Sequence, residues 1–305
     1  MTKVSVVILN WNQPDITLEC LDSVTKLRVK DYELNLLIVD NGSTDNSVKI
    51  FEKLKIVNWK LEIISNGKNK GFAGGNNVGI KYALEKGADY ILILNNDTIV
   101  DLQLVDRFID TADKYPEVGM LSPKIYFANG YEFHKNRYKK DELGKVIWSA
   151  GGKMDWDNVF GKNRGVDEVD KGQFGQEKEV NFTTGACMFL SVKALNEVGI
   201  FDEKYFMYFE DADLCMRMKK FGWKILYSPS GLVWHKVAQS SRIGSDLNDY
   251  YITRNRLLFG MKYAPVRTKI ALIKESIKFL ISGRKWQKIG VRDFCLMKFG
   301  KGSWK

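Results

Sequence analysis

Cysteine is scarce in this 305-residue chain: Cys20, Cys187, Cys215 and Cys295 are scattered, and none forms a CxxC spacing. That pattern excludes a disulfide framework, argues against zinc, and predicts reduced, mostly structural thiols. Long apolar runs are missing too. Nothing approaches the ~18 residues of a spanning helix, and Met1-Thr2-Lys3 leads straight into a strand pattern rather than a signal peptide, so a cytoplasmic protein is expected. Neither GxGxxG nor GxxxxGK[ST] occurs, which argues against a dinucleotide enzyme and a P-loop NTPase. Histidine is found only twice, at His134 and His235.

What is present is an ordinary globular composition, 45% hydrophobic and 28% charged, long enough for one large domain and an appendage. The net charge of +10 is concentrated in one place. Residues 241–305 hold 15 Lys and Arg against 4 Asp and Glu, whereas the remainder holds 32 against 33. The expected division is therefore a main domain over residues 1–240 and a basic extension over 241–305. A basic appendage on a neutral domain points to an anionic surface, lipid or nucleic acid; a solvated helical face is the plainer alternative.

Tyr90-Ile91-Leu92-Ile93-Leu94 is an apolar run of strand length that stops at Asn95-Asn96-Asp97. Unbroken apolar residues suit a strand covered on both faces, as in a parallel sheet flanked by helices. Val4–Asn10, followed by the polar loop Asn10–Gln13, repeats the pattern, as does Leu36–Asp40 with Asn41 and Gly42 as turn residues. Helical stretches through Leu27, over Asp45–Leu54 and over Leu102–Tyr115 alternate with these strands, and a third strand is expected at Leu61–Ser65. The fold class predicted is α/β. Asn10, Asp40, Asn66 and Asp97 then share the edge where such sheets bind ligands. Asp97 is of a kind to hold a divalent cation alongside water and phosphate oxygens, or simply to end a strand in a turn. Asp40 reads equally as an acceptor for a base or ribose and as a turn cap. Gly71, Gly74 and Gly75 open a helix whose N-terminus favours phosphate.

Residues 129–178 read as a long ordered loop region, a lip over the site. Thr183–Ala186 supplies small residues, Gly185 among them, inside an apolar strand over Val180–Val192. Glu210, Asp211 and Asp213 follow a strongly aromatic stretch and fall in a helical first turn. Asp213 and Arg217 are placed to pair at i,i+4, and Leu214, Met218 and Phe221 form the expected buried stripe. A carboxylate crowded by rings tends towards a raised pKa, which suits a general base. Ile225–Pro229 and Leu232–His235 read as two short strands. His235 is a structural histidine unless a metal lies near Asp97.

In order, the chain carries VSVVILNWN, VDNGSTDNS, NKGFAGGNN, ILNND, TGACMFL, FMYFEDADLCMR, VWHK and YYITRNRL. From Val4 to about Leu258 this set resembles the inverting nucleotide-sugar glycosyltransferases of family 2, which have the GT-A fold, especially the rhamnosyltransferase-like branch. The resemblance implies that Asp40 reads the nucleotide base with Asn10, Asn12 and Asn41 nearby. It places Gly71, Gly74, Gly75, Asn76, Asn96 and Gly185 beside the nucleotide sugar. Asn95-Asn96-Asp97 falls on the family's DxD position, which makes Asp97 the expected ligand for Mg²⁺ or Mn²⁺; Asn95 departs from the pattern and removes a charge there. His235 aligns with a further metal ligand, Asp211 with the catalytic base and Glu210 with its neighbour in the ED motif. A dTDP-rhamnose or UDP-sugar donor and a glycan or lipid-linked acceptor are implied.

Val266, Ile270, Ile273, Ile277 and Leu280 recur at helical spacing with Arg267, Lys269, Lys274 and Lys278 between them. This basic amphipathic helix fits peripheral contact with the inner face of the membrane, a homodimer interface, or packing on the main domain. No nucleic-acid motif accompanies it. Two other readings are a sugar-1-phosphate nucleotidyltransferase and a non-catalytic sugar-nucleotide-binding protein. The first should open on a Gly-rich loop with an early Arg, and Val4–Asn12 has neither residue. The joint presence of Asp97, Asp211 and His235 argues against the second.

Overall fold

The computed structural model describes residues 1–56, 59–237 and 244–304, so the 240/241 boundary read from the sequence lies outside the described residues. The chain alternates from the start: β1 (Thr2–Asn10), α1 (Pro14–Thr25), β2 (Tyr32–Asp40), α2 (Ser47–Phe51), β3 (Lys60–Ser65), α3 (Gly71–Glu85) and β4 (Tyr90–Asn95). The short β5 (Thr98–Val100), α4 (Leu104–Lys114) and β6 (Val118–Phe127) follow. Next come β7 (Ile147–Ala150), β8 (Gly152–Asp155), β9 (Phe160–Asn163), β10 (Lys178–Glu179), β11 (Cys187–Ser191), α5 (Val192–Val198), α6 (Glu210–Lys220) and β12 (Lys224–His235). Three helices close the chain: α7 (Asp246–Tyr263), α8 (Val266–Ser282) and α9 (Lys285–Cys295).

The sheet runs β10-β12-β6-β11-β4-β1-β2-β3 and is mostly parallel. β11 is the seam, antiparallel to both β4 and β6. Successive side chains on a strand point to opposite faces. In β1 and β4, Val7, Ile91 and Ile93 therefore enter one core with α3, α5 and α6, whereas Val6, Ile8, Leu92 and Leu94 enter the other with α1 and α4. Both faces are covered, which is why these strands carry no polar alternation.

Four local expectations are corrected. Ile225–Pro229 and Leu232–His235 are one strand, whose register shifts between Ser228 and Leu232 and so looks broken in the sequence. The 129–178 region is not all loop, since β7 extends β6 and β8 pairs with β9 in a hairpin. Thr183–Gly185 precedes β11 rather than lying within it. Phe221 caps α6 and is 54% exposed, while Leu214 and Met218 are buried.

Among the described residues no helix is long and apolar enough to cross a membrane. α7 is buried along much of its length and packs on α9. Around their junction Tyr250, Tyr251, Trp286 and Trp304 form an aromatic group. α8 buries Leu272 and exposes Val266, Ile270, Ile273, Ile277, Leu280 and Ile281.

Candidate active site

Parallel register places Asn10 opposite Asp40 and Leu9 opposite Asn95, so the loops after β1, β2 and β4 meet at one edge. Asp40 is fully buried, and both its oxygens are engaged. Oδ1 accepts from the Ser43 amide at 2.9 Å; Oδ2 accepts from Ser43 Oγ at 2.6 Å and Asn10 Nδ2 at 2.9 Å. The turn cap read for Asp40 is formed by the two Ser43 bonds. Asn10 Oδ1 takes the Thr17 hydroxyl at 2.7 Å, and Asn96 Nδ2 donates to that same hydroxyl at 3.0 Å. Asn12, in the left-handed region, accepts the Thr44 amide at 2.8 Å. Asn41 binds the next loop from both ends of its amide: Oδ1 accepts from the Lys70 amide at 3.0 Å and Nδ2 donates to the Gly71 carbonyl at 3.0 Å.

The rim so formed encloses a cavity of about 240 Å³ lined by Trp11, Asn12, Asn41, Gly71, Asn95, Asn96 and Asp97, among others. Gly71 is left-handed at φ 73°, and a Cβ there would stand 2.3 Å from the Phe206 carbonyl oxygen. Gly74, Gly75 and Asn76 face the interior. A Cβ on Gly75 would lie 2.6 Å from Leu9 and one on Gly74 would lie 2.9 Å from Lys70, so the close approach they permit is that of helix to strand and loop. Asn76 is buried and donates to the Phe72 carbonyl at 3.0 Å.

His235 reaches Asp97 across 138 residues because β12 pairs with β5, setting His235 opposite Thr98. His235 Nε2 and Asp97 Oδ1 are 3.0 Å apart, both residues are buried, and the Trp148 ring meets the imidazole edge-on at 4.5 Å. Among the described residues no group of three or more His, Cys, Asp or Glu side chains is placed to hold a metal ion.

On the other side of the sheet edge, α6 begins at Glu210 after three residues held at positive φ: Phe206, Tyr208 and Phe209. Asp211 is half-buried. Its Oδ2 accepts the Gly185 amide at 3.0 Å and its Oδ1 the Ala212 amide at 2.7 Å. Burial pushes its carboxyl above the ordinary range despite these bonds. Glu210 is 5% exposed, its Oε2 has no partner, and burial together with the Asp211 charge raises it well above the usual value. Burial alone would also raise Asp213, but Arg217 at 2.7 Å and Lys262 at 2.7 Å outweigh it and hold that carboxyl low. The i,i+4 pair expected from the sequence is present.

Asp211 opens on a second cavity, about 540 Å³, walled by Phe160, Phe182, Tyr208, Phe209 and Arg256. Met207 lines the first cavity and Tyr208 the second, so one short loop stands between them. The region thus combines a polar rim, a buried Asp–His pair and a carboxylate in the lining of a second cavity.

Comparison with known proteins places it further. Residues 5–199 match the family described as Glycosyl transferase family 2. The chain belongs to that family. It is 27% identical over 220 residues to the N-acetylglucosaminyl-diphospho-decaprenol L-rhamnosyltransferase of Mycobacterium tuberculosis, covering 68% of each chain. It is 24% identical over 267 residues to the dTDP-rhamnosyl transferase RfbF of Shigella flexneri, covering 84% of this chain and 79% of that one. Among solved structures, GalNAc-T7 with UDP, GalNAc and Mn²⁺ superposes with a TM-score of 0.62 at 17% identity, over 97% of this chain and 57% of that one. S. aureus TarS 1–349 with UDP-GlcNAc gives 0.60 at 15% identity, over 96% of this chain and 79% of that one.

Several residues at the site carried no assignment from the sequence. Thr17 completes the hydrogen bonds of Asn10, and a hydroxyl beside a strand end gives no signal by spacing. Ser43, which with Thr44 reads from the sequence as a cap for the following helix, instead bonds Asp40, and the N-cap of α2 is Asn46. Phe160, Phe182 and Arg256 converge from three distant elements. Arg254 and Asn255 are both fully buried. Adjacent polar residues inside a helix that also buries Tyr250, Tyr251, Leu257 and Phe259 were the available clue.

Proposed function

We propose that this chain transfers a sugar, with inversion, from dTDP-rhamnose or a UDP-sugar in the polar cavity to a hydroxyl of a glycan or lipid-linked acceptor in the aromatic cavity. The observation that carries the reading is the position of Asp211 in the lining of the aromatic cavity, three residues after Tyr208 of the loop that borders both cavities, with a carboxyl raised by burial and steadied by the Gly185 amide. A base there takes the proton of the attacking hydroxyl while the nucleoside diphosphate leaves on the opposite side. Burial and the neighbouring Asp211 charge push the Glu210 carboxyl up further still. The rhamnosyltransferase relatives favour a rhamnose donor, and the diphospho-decaprenol in one relative's name favours a lipid-linked acceptor.

The residues present fit a divalent cation. His235 Nε2 and Asp97 Oδ1 are both buried and 3.0 Å apart, an imidazole nitrogen and a carboxylate oxygen of the kind that bind Mg²⁺ or Mn²⁺. Asp97 and His235 would hold Mg²⁺ or Mn²⁺ with Asn95 at the rim, the substrate's phosphate oxygens and water completing the shell. When bound, such an ion neutralises charge developing on the departing diphosphate. The Mn²⁺ in the GalNAc-T7 structure supports this reading.

Residues 241–305 serve as a peripheral membrane contact through α8, whose exposed isoleucines lie beside its lysines. Flotation with anionic vesicles should be lost in Ile273→Asp/Ile277→Asp; unchanged flotation removes this role. The transfer reading is tested with Asp211→Asn, which is expected to lower turnover by ~10²–10⁴-fold while UDP or dTDP still binds. Full turnover in a folded Asp211→Asn protein would end the assignment.

A further inference from the structure

The wall between the two cavities is unusual backbone. Phe206, Tyr208 and Phe209 all sit at positive φ, a region sparsely used by residues other than glycine. Such conformations persist only where the surroundings over-determine them. α6 holds the two ends of the loop, where the Tyr205 hydroxyl donates to Asp213 Oδ1 at 3.3 Å and the Asp213 amide to the Phe209 carbonyl at 2.9 Å. The carbonyls between them are held from α7, some forty residues later.

Asn255 Nδ2 lies within hydrogen-bond distance of three loop carbonyls: Tyr205 at 2.8 Å, Met207 at 2.7 Å and Tyr208 at 2.9 Å. Its Oδ1 accepts from Arg254 Nε at 2.9 Å, which fixes the amide with its nitrogen towards the loop. Arg254 extends the grip. Nη2 donates to the carbonyls of Tyr205 at 3.0 Å and Lys204 at 3.2 Å, and Nη1 to that of Gly300 at 2.7 Å. The rings of Tyr250 and Tyr251 lie 5.2 and 5.0 Å from its guanidinium carbon. Arg254 and Asn255 are 0% exposed, so water offers no substitute for any of these bonds. On its far side the loop is tied to the donor edge, where the Phe206 carbonyl accepts the Ala73 amide at 3.1 Å in the space left by Gly71.

We propose that Arg254 and Asn255 are positioning residues that hold residues 204–209 and thereby set where Asp211 stands between donor and acceptor. The inference rests on the reading of Asp211 as the base. Carbonyls at 205, 207 and 208 converge on one NH₂ group, whose two N–H donors are shared among them. An aspartate would set oxygen against oxygen. Neither residue touches a reacting atom; each acts through the loop.

Asn255→Ala, Asn255→Asp and Arg254→Lys are measured in the full chain beside Asp211→Asn, each by thermal melting, by affinity for UDP and dTDP with Mn²⁺, and by turnover of whichever of dTDP-rhamnose and UDP-GlcNAc the wild-type protein consumes. If the clamp positions the base, folded Asn255→Ala binds nucleotide within a few-fold of wild type while kcat falls ~100-fold, the penalty of a displacement of about an ångström at a reacting centre. Asn255→Asp is worse than Asn255→Ala, and Arg254→Lys, which keeps a cation but not the full set of donors, lowers kcat less than Asn255→Ala does. Wild-type kcat in folded Asn255→Ala, or a loss no larger than the loss of nucleotide affinity, overturns the proposal. If Asn255→Ala does not fold, Arg254→Lys is judged on the same criteria. Full activity in Asp211→Asn instead refutes the base reading itself, so the two failures are separable.

Discussion

The two cavities are built by different means. The polar one is made by strand ends: Asn10, Asp40 and Asn95 arrive together because three neighbouring parallel strands stop at the same level, and the loops beyond them are joined by short side-chain hydrogen bonds. The aromatic one is assembled from Phe160 in a hairpin, Phe182 before β11, Tyr208 and Phe209 in a left-handed loop, and Arg256 on α7. One is fixed by local register, the other by long-range packing. Damage to the first should therefore appear in metal and nucleotide binding, and damage to the second in turnover and stability.

The sharpest way to break this contrast is Asp97→Ala, which leaves His235 without its partner. Turnover should drop ~10²–10³-fold, and the dependence of nucleotide affinity on added Mn²⁺, read by calorimetric titration, should vanish. An Mn²⁺ dependence like wild type's would mean that the polar edge is not a metal edge. On the other side, Asp213→Asn strands Arg217 and Lys262 around a buried site. Losing one partner of a buried ion pair costs about 3–5 kcal/mol, reduced here because Lys262 is partly exposed; a urea midpoint measures it. The sign with pH follows from the direction of the shift. Asp213 is held low, so its contribution is present above its unfolded pKa and lost as pH falls through the native one. The deficit of Asp213→Asn should therefore shrink on acidification.

A smaller effect is expected at Gly75→Ala. The added Cβ would meet Leu9 at 2.6 Å and Asn41 at 3.1 Å. Overpacking of that kind costs about 1–3 kcal/mol, against roughly 1 kcal/mol gained by replacing glycine within a helix. A modest fall in melting temperature follows, with the polar rim loosened through Asn41. The smallest effect is Glu210→Gln. A carboxyl whose native pKa is raised stabilises the fold below its unfolded pKa, and that contribution is lost as pH rises through the native value. The amide should therefore melt slightly higher than wild type at neutral pH, and no differently in acid.

The same contrast explains what could be read beforehand. Asp40 and Asp97 each follow an apolar run, so strand, edge and carboxylate were visible in one window of sequence. Asp211 was visible because acids seldom follow so many rings. His235 was legible only as a conditional, since its meeting with Asp97 depends on β12 pairing with β5. Asn255 lies within YYITRNRL, but its role was hidden because its partners are backbone carbonyls. Phe160 and Phe182 gave no sign of convergence because hairpin and strand are joined by tertiary packing alone. Gly74 and Gly75 show the limit of motif reading: a glycine signals close approach, and here the approaching group is Leu9 or Lys70.

The reach of Arg254, back to Lys204 and forward to Gly300, also orders events during synthesis. On a ribosome the first four strands and the loops that join them emerge well before α7, and the carbonyl of Gly300 emerges later still. A nascent chain can thus bring together much of its polar rim while residues 204–209 still lack the bonds of Arg254 and Asn255.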